Sequence, residues 1–118
     1  ECCNNSINQE KLKYLYPSEE SNLDIDEETD IVIMNFNTDW CYYSKKFQPI
    51  WDEFSKKMKG QNIIVKDVKC DNNSNETICK KYDIEGFPTV KLLKDKKIHE
   101  FKGNRSVDGL TKFVREHL

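Results

Sequence analysis

The strongest constraint on the fold is an apolar run, residues 31–36, followed after a short polar turn by a cysteine, Cys41. Beyond Cys41 the apolar residues recur at offsets of three and four, the period of one helical face. These residues are Phe47, Ile50, Trp51, Phe54 and Met58. The pattern predicts a strand, a turn and an amphipathic helix over residues 41–59, which ends near Gly60 and is kinked at Pro49.

Cys41 would lie at the amino terminus of that helix. Backbone N–H groups without intrahelical partners, together with the helix dipole, favour a thiolate there. We therefore expect a partly exposed thiol with a pKa below the usual value of about 8.5. A small buried hydrophobe is the other interpretation of a free cysteine, and Cys41 alone does not decide between them.

A second motif, Gly86-Phe87-Pro88-Thr89, precedes the apolar run at residues 90–93. A proline at the start of a strand is a candidate for a cis peptide bond, and an ordinary trans turn is the alternative. Elsewhere we expect a strand over residues 63–68, a short helix over 76–82, a hairpin over 90–101 that turns at 95–97, and a last helix over 107–117.

Taken in order, these motifs resemble the thioredoxin fold, and more closely the thioredoxin-like domains of the protein disulfide isomerase family. The matching segments are residues 31–36, Trp40-Cys41 with Pro49, residues 82–89 and residues 101–106. The resemblance implies an α/β fold with a mixed central sheet flanked by helices. It also implies that Cys41 is the nucleophile and that Pro88 is the family's cis-proline beside it.

The chain departs from the family at the residue that would resolve a mixed disulfide. Oxidising and reducing members carry Cys-x-x-Cys, whereas this chain has Ser44, which cannot close a disulfide. The resemblance puts Asn35 where a buried acid helps deprotonate the second cysteine, and Asp67 where that acid has a lysine companion. Arg105 matches an arginine that tunes the second cysteine. Joint loss of thiol and acid favours a natural Ser44 over an engineered one.

The residues around Cys41 predict a substrate groove. Trp40, Tyr42 and Tyr43 would present aromatic faces to an extended peptide carrying a cysteine, with Phe87 and Pro88 on the other side. Two tyrosines supply no positive charge, so we expect a less acidic thiol than in strong oxidants of the family. Ser44 could compensate in part by donating its hydroxyl proton to the sulfur.

The other cysteines fall into two pairs. The resemblance implies a structural disulfide between Cys70 and Cys79, which would constrain the unfolded chain by about 2–3 kcal/mol; two reduced thiols are the alternative. Cys2 and Cys3 could bond to a missing segment, link two chains or simply be disordered. Either could also replace the resolving thiol, although nothing in the sequence positions them near Cys41. No metal site is expected, because no cysteine or histidine spacing fits one.

Composition indicates one domain, since 118 residues with 36% hydrophobic content provide a single core. We place a polar extension at residues 1–22, with a possible short helix at 9–16, and the thioredoxin-like domain at 23–118. The acidic stretch at 18–30 is expected to be an exposed linker. Interspersed charges, 19 basic and 21 acidic, recommend no nucleic-acid partner, and no apolar run is long enough to span a membrane. Because the chain begins at Glu1, we expect that a preceding segment was removed.

Two functions of different classes follow. The first is thiol-disulfide exchange through Cys41 alone, by isomerisation or capture of cysteine-containing proteins or peptides, without a cofactor except glutathione as a resolving thiol. The second is a noncatalytic peptide- or partner-binding module; a glutaredoxin-like enzyme fits the motifs less well. Oligomeric state stays open. Five cysteines, with glycosylation sequons at Asn4, Asn72, Asn75 and Asn104, favour the endoplasmic reticulum or a virion over the cytoplasm.

Overall fold

The computed structural model of the protein describes residues 3–4 and 31–118. The expected helix at 9–16, the linker at 18–30 and the domain boundary at 22–23 lie outside these residues. The strands are β1 (Cys3–Asn4), β2 (Val32–Asn37), β3 (Ile64–Lys69), β4 (Gly86–Phe87), β5 (Thr89–Lys94) and β6 (Lys97–Glu100). The helices in the described residues are α1 (Tyr42–Lys57), α2 (Glu76–Lys81) and α3 (Val107–Arg115), with a 3₁₀ turn at Asn73–Asn75.

Four strands form the central sheet in the order β3-β2-β5-β6. β2 pairs with β3 in parallel and with β5 antiparallel, and β5 and β6 form an antiparallel hairpin. The parallel pair needs a crossover, which α1 supplies. The structure therefore confirms the predicted mixed sheet flanked by helices.

The sheet is covered on both faces because β2 alternates its side chains between two cores. Val32, Met34 and Phe36 pack with α2 and its flanking loops, whereas Ile33 packs with α1 and α3. On the second face, α1 buries the stripe predicted from sequence, including Phe47, Trp51 and Phe54. Burial on both faces explains why β2 reads as a continuous apolar run.

Observed boundaries differ from the predicted ones by one or two residues at most ends. α1 begins at Tyr42, with Cys41 as its N-cap residue, and contains Pro49. The hairpin turns through Asp95 and Lys96, both with positive φ. Sequence reasoning missed a second, two-stranded sheet in which β1 pairs antiparallel with β4.

Candidate active site

Cys41 lies where the sheet delivers the chain to a helix. β2 ends at Asn37, a short loop follows, and the backbone of Cys41 is extended before it accepts the first helical hydrogen bond from Lys45 N–H at 3.0 Å. This is the position predicted for the nucleophile. However, the residue is fully buried, within the apolar cluster that also contains Phe87.

The sulfur of Cys41 is bonded to Cys3, and this corrects the expectation of a free, partly exposed thiol. The two Cα atoms lie 6.0 Å apart and the residues are 38 apart in sequence. Cys3 is partly buried, and β1 holds it opposite Phe87 in the two-stranded sheet. A two-residue strand has too few residues for a periodicity signal, so sequence reasoning found nothing to position Cys3.

Phe87 and Pro88 form the wall next to the sulfur. The peptide bond between them is cis, and both residues are buried. Cys41 Sγ lies 3.5 Å from the carbonyl oxygen of Phe87. A disulfide sulfur has no proton to donate, so this is a contact and not a hydrogen bond. The wall thus presents backbone to whatever is attached to Cys41.

Aromatic side chains form an outer rim around the segment that carries Cys41, and their role as a substrate groove stays a prediction. Trp40 is 47% exposed and meets the ring of Phe87 edge-on, with centroids 5.9 Å apart. Tyr42 is 66% exposed and packs edge-on against the partly buried Tyr43. Large exposed aromatic faces next to a groove favour contact with a partner chain.

Ser44 lies in the first turn of α1 and is buried. Its Oγ accepts a hydrogen bond from the backbone N–H of Thr38 at 3.4 Å. The recorded hydrogen bond therefore ties Ser44 to the loop before Cys41. Accepting this bond leaves the hydroxyl proton available, so the expected donation to the Cys41 sulfur stays a prediction.

Asn35 is fully buried on β2, and its side-chain nitrogen and oxygen have no hydrogen-bond partner among the described residues. Its backbone is in register with Asp67, the residue aligned with the lysine companion. The Asp67 carboxylate instead accepts from Asn37 Nδ2 at 2.5 Å and from Gln48 Nε2 at 2.9 Å. The buried amide is thus separate from the charged pairings of Asp67.

The polar network around Asn37 was missed by sequence reasoning. Lys69 Nζ donates to the side-chain oxygens of Asn37 and Gln48, the latter at 2.7 Å, and lies 3.5 Å from a carboxylate oxygen of Asp39. These contacts tie β2, β3, α1 and the loop before Cys41 together. The sequence gives one indication of this network. Asp67 and Lys69 carry opposite charges two residues apart on a strand, and therefore lie on one face.

Arg105 contacts the wall formed by Phe87 and Pro88. Its guanidinium donates to the carbonyl oxygen of Pro88 at 3.4 Å. Arg105 and Tyr43 line one cavity of about 210 Å³. The arginine thus supports the Phe87–Pro88 segment.

A family model, Thioredoxin, matches residues 15–116. The chain belongs to the thioredoxin family. A protein disulfide-isomerase of Ricinus communis is 34% identical over 91 residues, or 74% of this chain and 18% of that protein. Endoplasmic reticulum resident protein 44 of Bos taurus is 32% identical over 100 residues, or 79% of this chain and 24% of that protein.

Structural comparison gives the same relationship. A crystal structure of human ERp44 has a TM-score of 0.67 and 31% identity, covering 76% of this chain and 28% of that chain. The chain spans about a fifth of the length of the curated relatives it matches. Within this thioredoxin-family domain, the described part of the chain contains no helix long and apolar enough to cross a membrane.

Away from the groove, the thioredoxin-family domain contains the second disulfide, Cys70–Cys79, which the resemblance implied. Both cysteines are buried in the α2-side core. His99 and His117 are in tilted ring contact, with centroids 4.3 Å apart. Residues 3–4 and 31–118 hold no group of three or more histidine, cysteine or carboxylate residues that could bind a metal ion.

Proposed function

We propose that this domain exchanges thiols and disulfides through Cys41 with cysteine-containing proteins or peptides. One observation carries the proposal: the Cys41 sulfur is bonded to the cysteine of a segment that pairs as a strand with Gly86–Phe87. An extended peptide therefore fits this groove, with its cysteine at the reactive sulfur. Addition of a strand to an exposed sheet edge gives affinity from main-chain hydrogen bonds.

The chemistry needs only one cysteine from the motif. A Cys41 thiolate attacks a substrate disulfide, forms a mixed disulfide with one sulfur and releases the other as a thiolate, which takes a proton from solvent. Ser44 cannot complete the cycle, because an alcohol does not displace a thiolate from a disulfide. Release of the substrate then requires a thiol from outside the Cys-x-x-Ser motif, such as glutathione.

We extend the proposal to the endoplasmic reticulum or another part of the secretory pathway. Two disulfides in a small domain agree with an oxidising compartment. The name of the bovine relative places that protein in the endoplasmic reticulum. Neither exchange nor substrate binding requires a cofactor in this scheme.

A noncatalytic peptide-binding module is the second candidate, favoured by the exposure of Trp40 and Tyr42. It would use the same groove without a covalent step. The difference between the candidates is therefore whether a substrate peptide becomes bonded to Cys41.

Mass spectrometry of the full chain with a disulfide-linked peptide dimer tests this. In a Cys2→Ser/Cys3→Ser variant, Cys41 is the one cysteine outside the Cys70–Cys79 pair. After mild reduction we expect the mass of one peptide to be added, with release of the other. The matched variant with Cys41→Ser in addition should gain no mass. Peptide binding without an adduct, detected by tryptophan fluorescence, would support the binding module instead.

A further inference from the structure

We propose that Cys3 is the resolving cysteine that the Cys-x-x-Ser motif lacks. This inference rests on the proposed function, because it assigns the second half of the same exchange cycle. Resolution of a mixed disulfide on Cys41 by Cys3 would give a Cys3–Cys41 disulfide as its product, and the structure contains that disulfide. The bond thus identifies which thiol can reach the Cys41 sulfur.

The residue at the usual position of the resolving cysteine cannot release a mixed disulfide. Ser44 is buried, has no thiol, and is hydrogen-bonded to Thr38 N–H. Cys70 and Cys79 are bonded to each other. Cys3 is bonded to Cys41 and is held opposite Phe87 by β1. In the described residues it is the cysteine whose sulfur meets Cys41.

The cycle balances as two exchanges. Cys41 thiolate attacks a substrate disulfide, giving a mixed disulfide and one substrate thiol. Cys3 thiolate then attacks Cys41 Sγ; the Cys3–Cys41 bond forms, the bond to the substrate breaks, and the substrate sulfur leaves as a thiolate that takes a proton. The substrate disulfide is reduced to two thiols and the protein dithiol is oxidised. Two molecules of a low-molecular-weight thiol, such as glutathione, restore the dithiol and become a disulfide.

β1 would also keep a released substrate from pairing again with Gly86–Phe87. It pairs with Gly86–Phe87, the edge where an extended substrate would pair, so substrate and β1 cannot hold that edge together. A two-residue pair is too short to be stable without further support. Reduction of Cys3–Cys41 therefore frees the groove, and the attack of Cys3 replaces the substrate strand with β1.

The tether makes Cys3 a better resolving thiol than a dilute external one. Cys3 and Cys41 are 38 residues apart in the same chain, so their encounter is intramolecular. Tethered groups have effective concentrations on the order of millimolar, which raises the reaction rate on the order of 100-fold over that of an external thiol at about 10 micromolar. A purely structural disulfide would stabilise the fold but would not shorten the lifetime of an adduct on Cys41.

The test measures that lifetime in the full chain. Wild type, Cys3→Ser and the matched control Cys2→Ser are mildly reduced, desalted and mixed with the disulfide-linked peptide dimer. Samples are quenched with acid and analysed by mass spectrometry without reduction. We expect the wild type and Cys2→Ser to convert the peptide adduct into Cys3–Cys41 without added thiol, at a rate independent of protein concentration. Cys3→Ser should keep its adduct on the order of 100-fold longer, and lose it in proportion to added glutathione.

The outcomes separate the inference from the function beneath it. Adducts that form in all three proteins and decay at one rate overturn the role of Cys3 and leave exchange through Cys41 intact. A long-lived adduct in Cys2→Ser, with rapid release in Cys3→Ser, assigns resolution to Cys2 and also overturns it. Absence of any adduct, and of newly formed Cys3–Cys41 disulfide, in every protein overturns the proposed function itself.

Discussion

The two disulfides of the domain have different surroundings. Cys70–Cys79 spans nine positions of sequence, and both of its cysteines are buried in a core with Val68 and Ile78. Cys3–Cys41 spans 38 positions, and a strand of two residues supports its outer half. The first bond joins elements that pack against each other anyway. The second holds β1 beside Gly86–Phe87, with which it pairs.

Loop length alone predicts that Cys3–Cys41 stabilises the fold more than Cys70–Cys79 does. Chain entropy assigns about 2.6 kcal/mol to a nine-residue loop and about 3.9 kcal/mol to a loop of 38. The Cys3–Cys41 bond, however, also restrains β1 in the folded state, and that restraint is released when Cys3 is freed. Because the bond lowers the chain entropy of the folded and the unfolded state alike, most of the figure of about 3.9 kcal/mol cancels. Surroundings, rather than loop length, should decide which bond matters for stability.

The largest expected difference is in the rate of reduction. We expect thiols to reach the Cys3 sulfur once β1 opens, because β1 has only two residues, whereas both cysteines of Cys70–Cys79 are buried in the core around α2. If the second opening costs about 3 kcal/mol more, Cys3–Cys41 is reduced on the order of 100-fold faster. Timed reduction with dithiothreitol, followed by alkylation and peptide mapping, measures both rates.

The Cys3→Ser variant provides the control, because its Cys70–Cys79 bond should be reduced at the wild-type rate. Equal rates for the two bonds in the wild type would show that β1 is held as firmly as the core.

The second difference is in the free energy of unfolding. Cys70→Ser/Cys79→Ser should lose about 2–3 kcal/mol, since the unfolded chain regains the entropy of the loop. Cys3→Ser should lose less than about 1 kcal/mol, because its folded state regains freedom as well. Urea unfolding at fixed pH, with all bonds formed in the wild type, measures both. A larger loss for Cys3→Ser would mean that residues 1–4 belong to the folded core.

Most of the fold could be predicted from the chain. Apolar runs placed β2 and the helical stripe placed α1, because burial on both sheet faces and on one helix face leaves a periodic signal. The Cys70–Cys79 bond came from the family resemblance. β1 left no comparable signal, since a pair of residues has no period. The one sequence clue to Cys3 is arithmetic: pairing Cys70 with Cys79 leaves three of the five cysteines, including Cys41.

The polar residues near the site were harder to interpret. The position of Asn35 was predicted, and it is buried, yet its amide has no partner among the described residues. Asn37, two residues on, pairs with Asp67 and Lys69. Alternation puts both asparagines on one face, and it cannot tell which of them meets a charge on β3. Side-chain reach decides that, and reach depends on the assembled sheet.

Disulfide exchange at Cys41 could depend on Cys41 itself or on the Cys3 segment bonded to it. Ser44→Cys, in a Cys3→Ser background, offers Cys41 a new partner within α1. We expect insulin reduction to rise about tenfold, since the new thiol is held beside Cys41 at high effective concentration. Adding Asn35→Glu should raise it further, because the acid can help ionise the buried thiol.

Ser44→Ala in the same background keeps the packing without the thiol and should gain nothing. If Ser44→Cys also gains nothing, reactivity at Cys41 depends on the Cys3 segment.

The smallest expected effect concerns the groove itself. If the covalent bond alone holds an extended chain at Cys41, the aromatic rim does not contribute to its binding. If the groove binds an extended chain, loss of the Trp40 ring that meets Phe87 edge-on should weaken that binding. An aromatic contact between Trp40 and the peptide would contribute about 0.5–1.5 kcal/mol, so Trp40→Ala in the Cys2→Ser/Cys3→Ser background should slow peptide adduct formation about two- to tenfold. Ile98→Ala is the matched control, since that side chain is 49% exposed and lies on β6 rather than in the rim. Trp40→Ala and its parent could instead form adducts at equal rates, both with glutathione disulfide and with the peptide dimer. That result would show that substrates reach the Cys41 sulfur without contacting the rim. The difference between the two disulfides would then depend on the access of thiols to Cys3 alone.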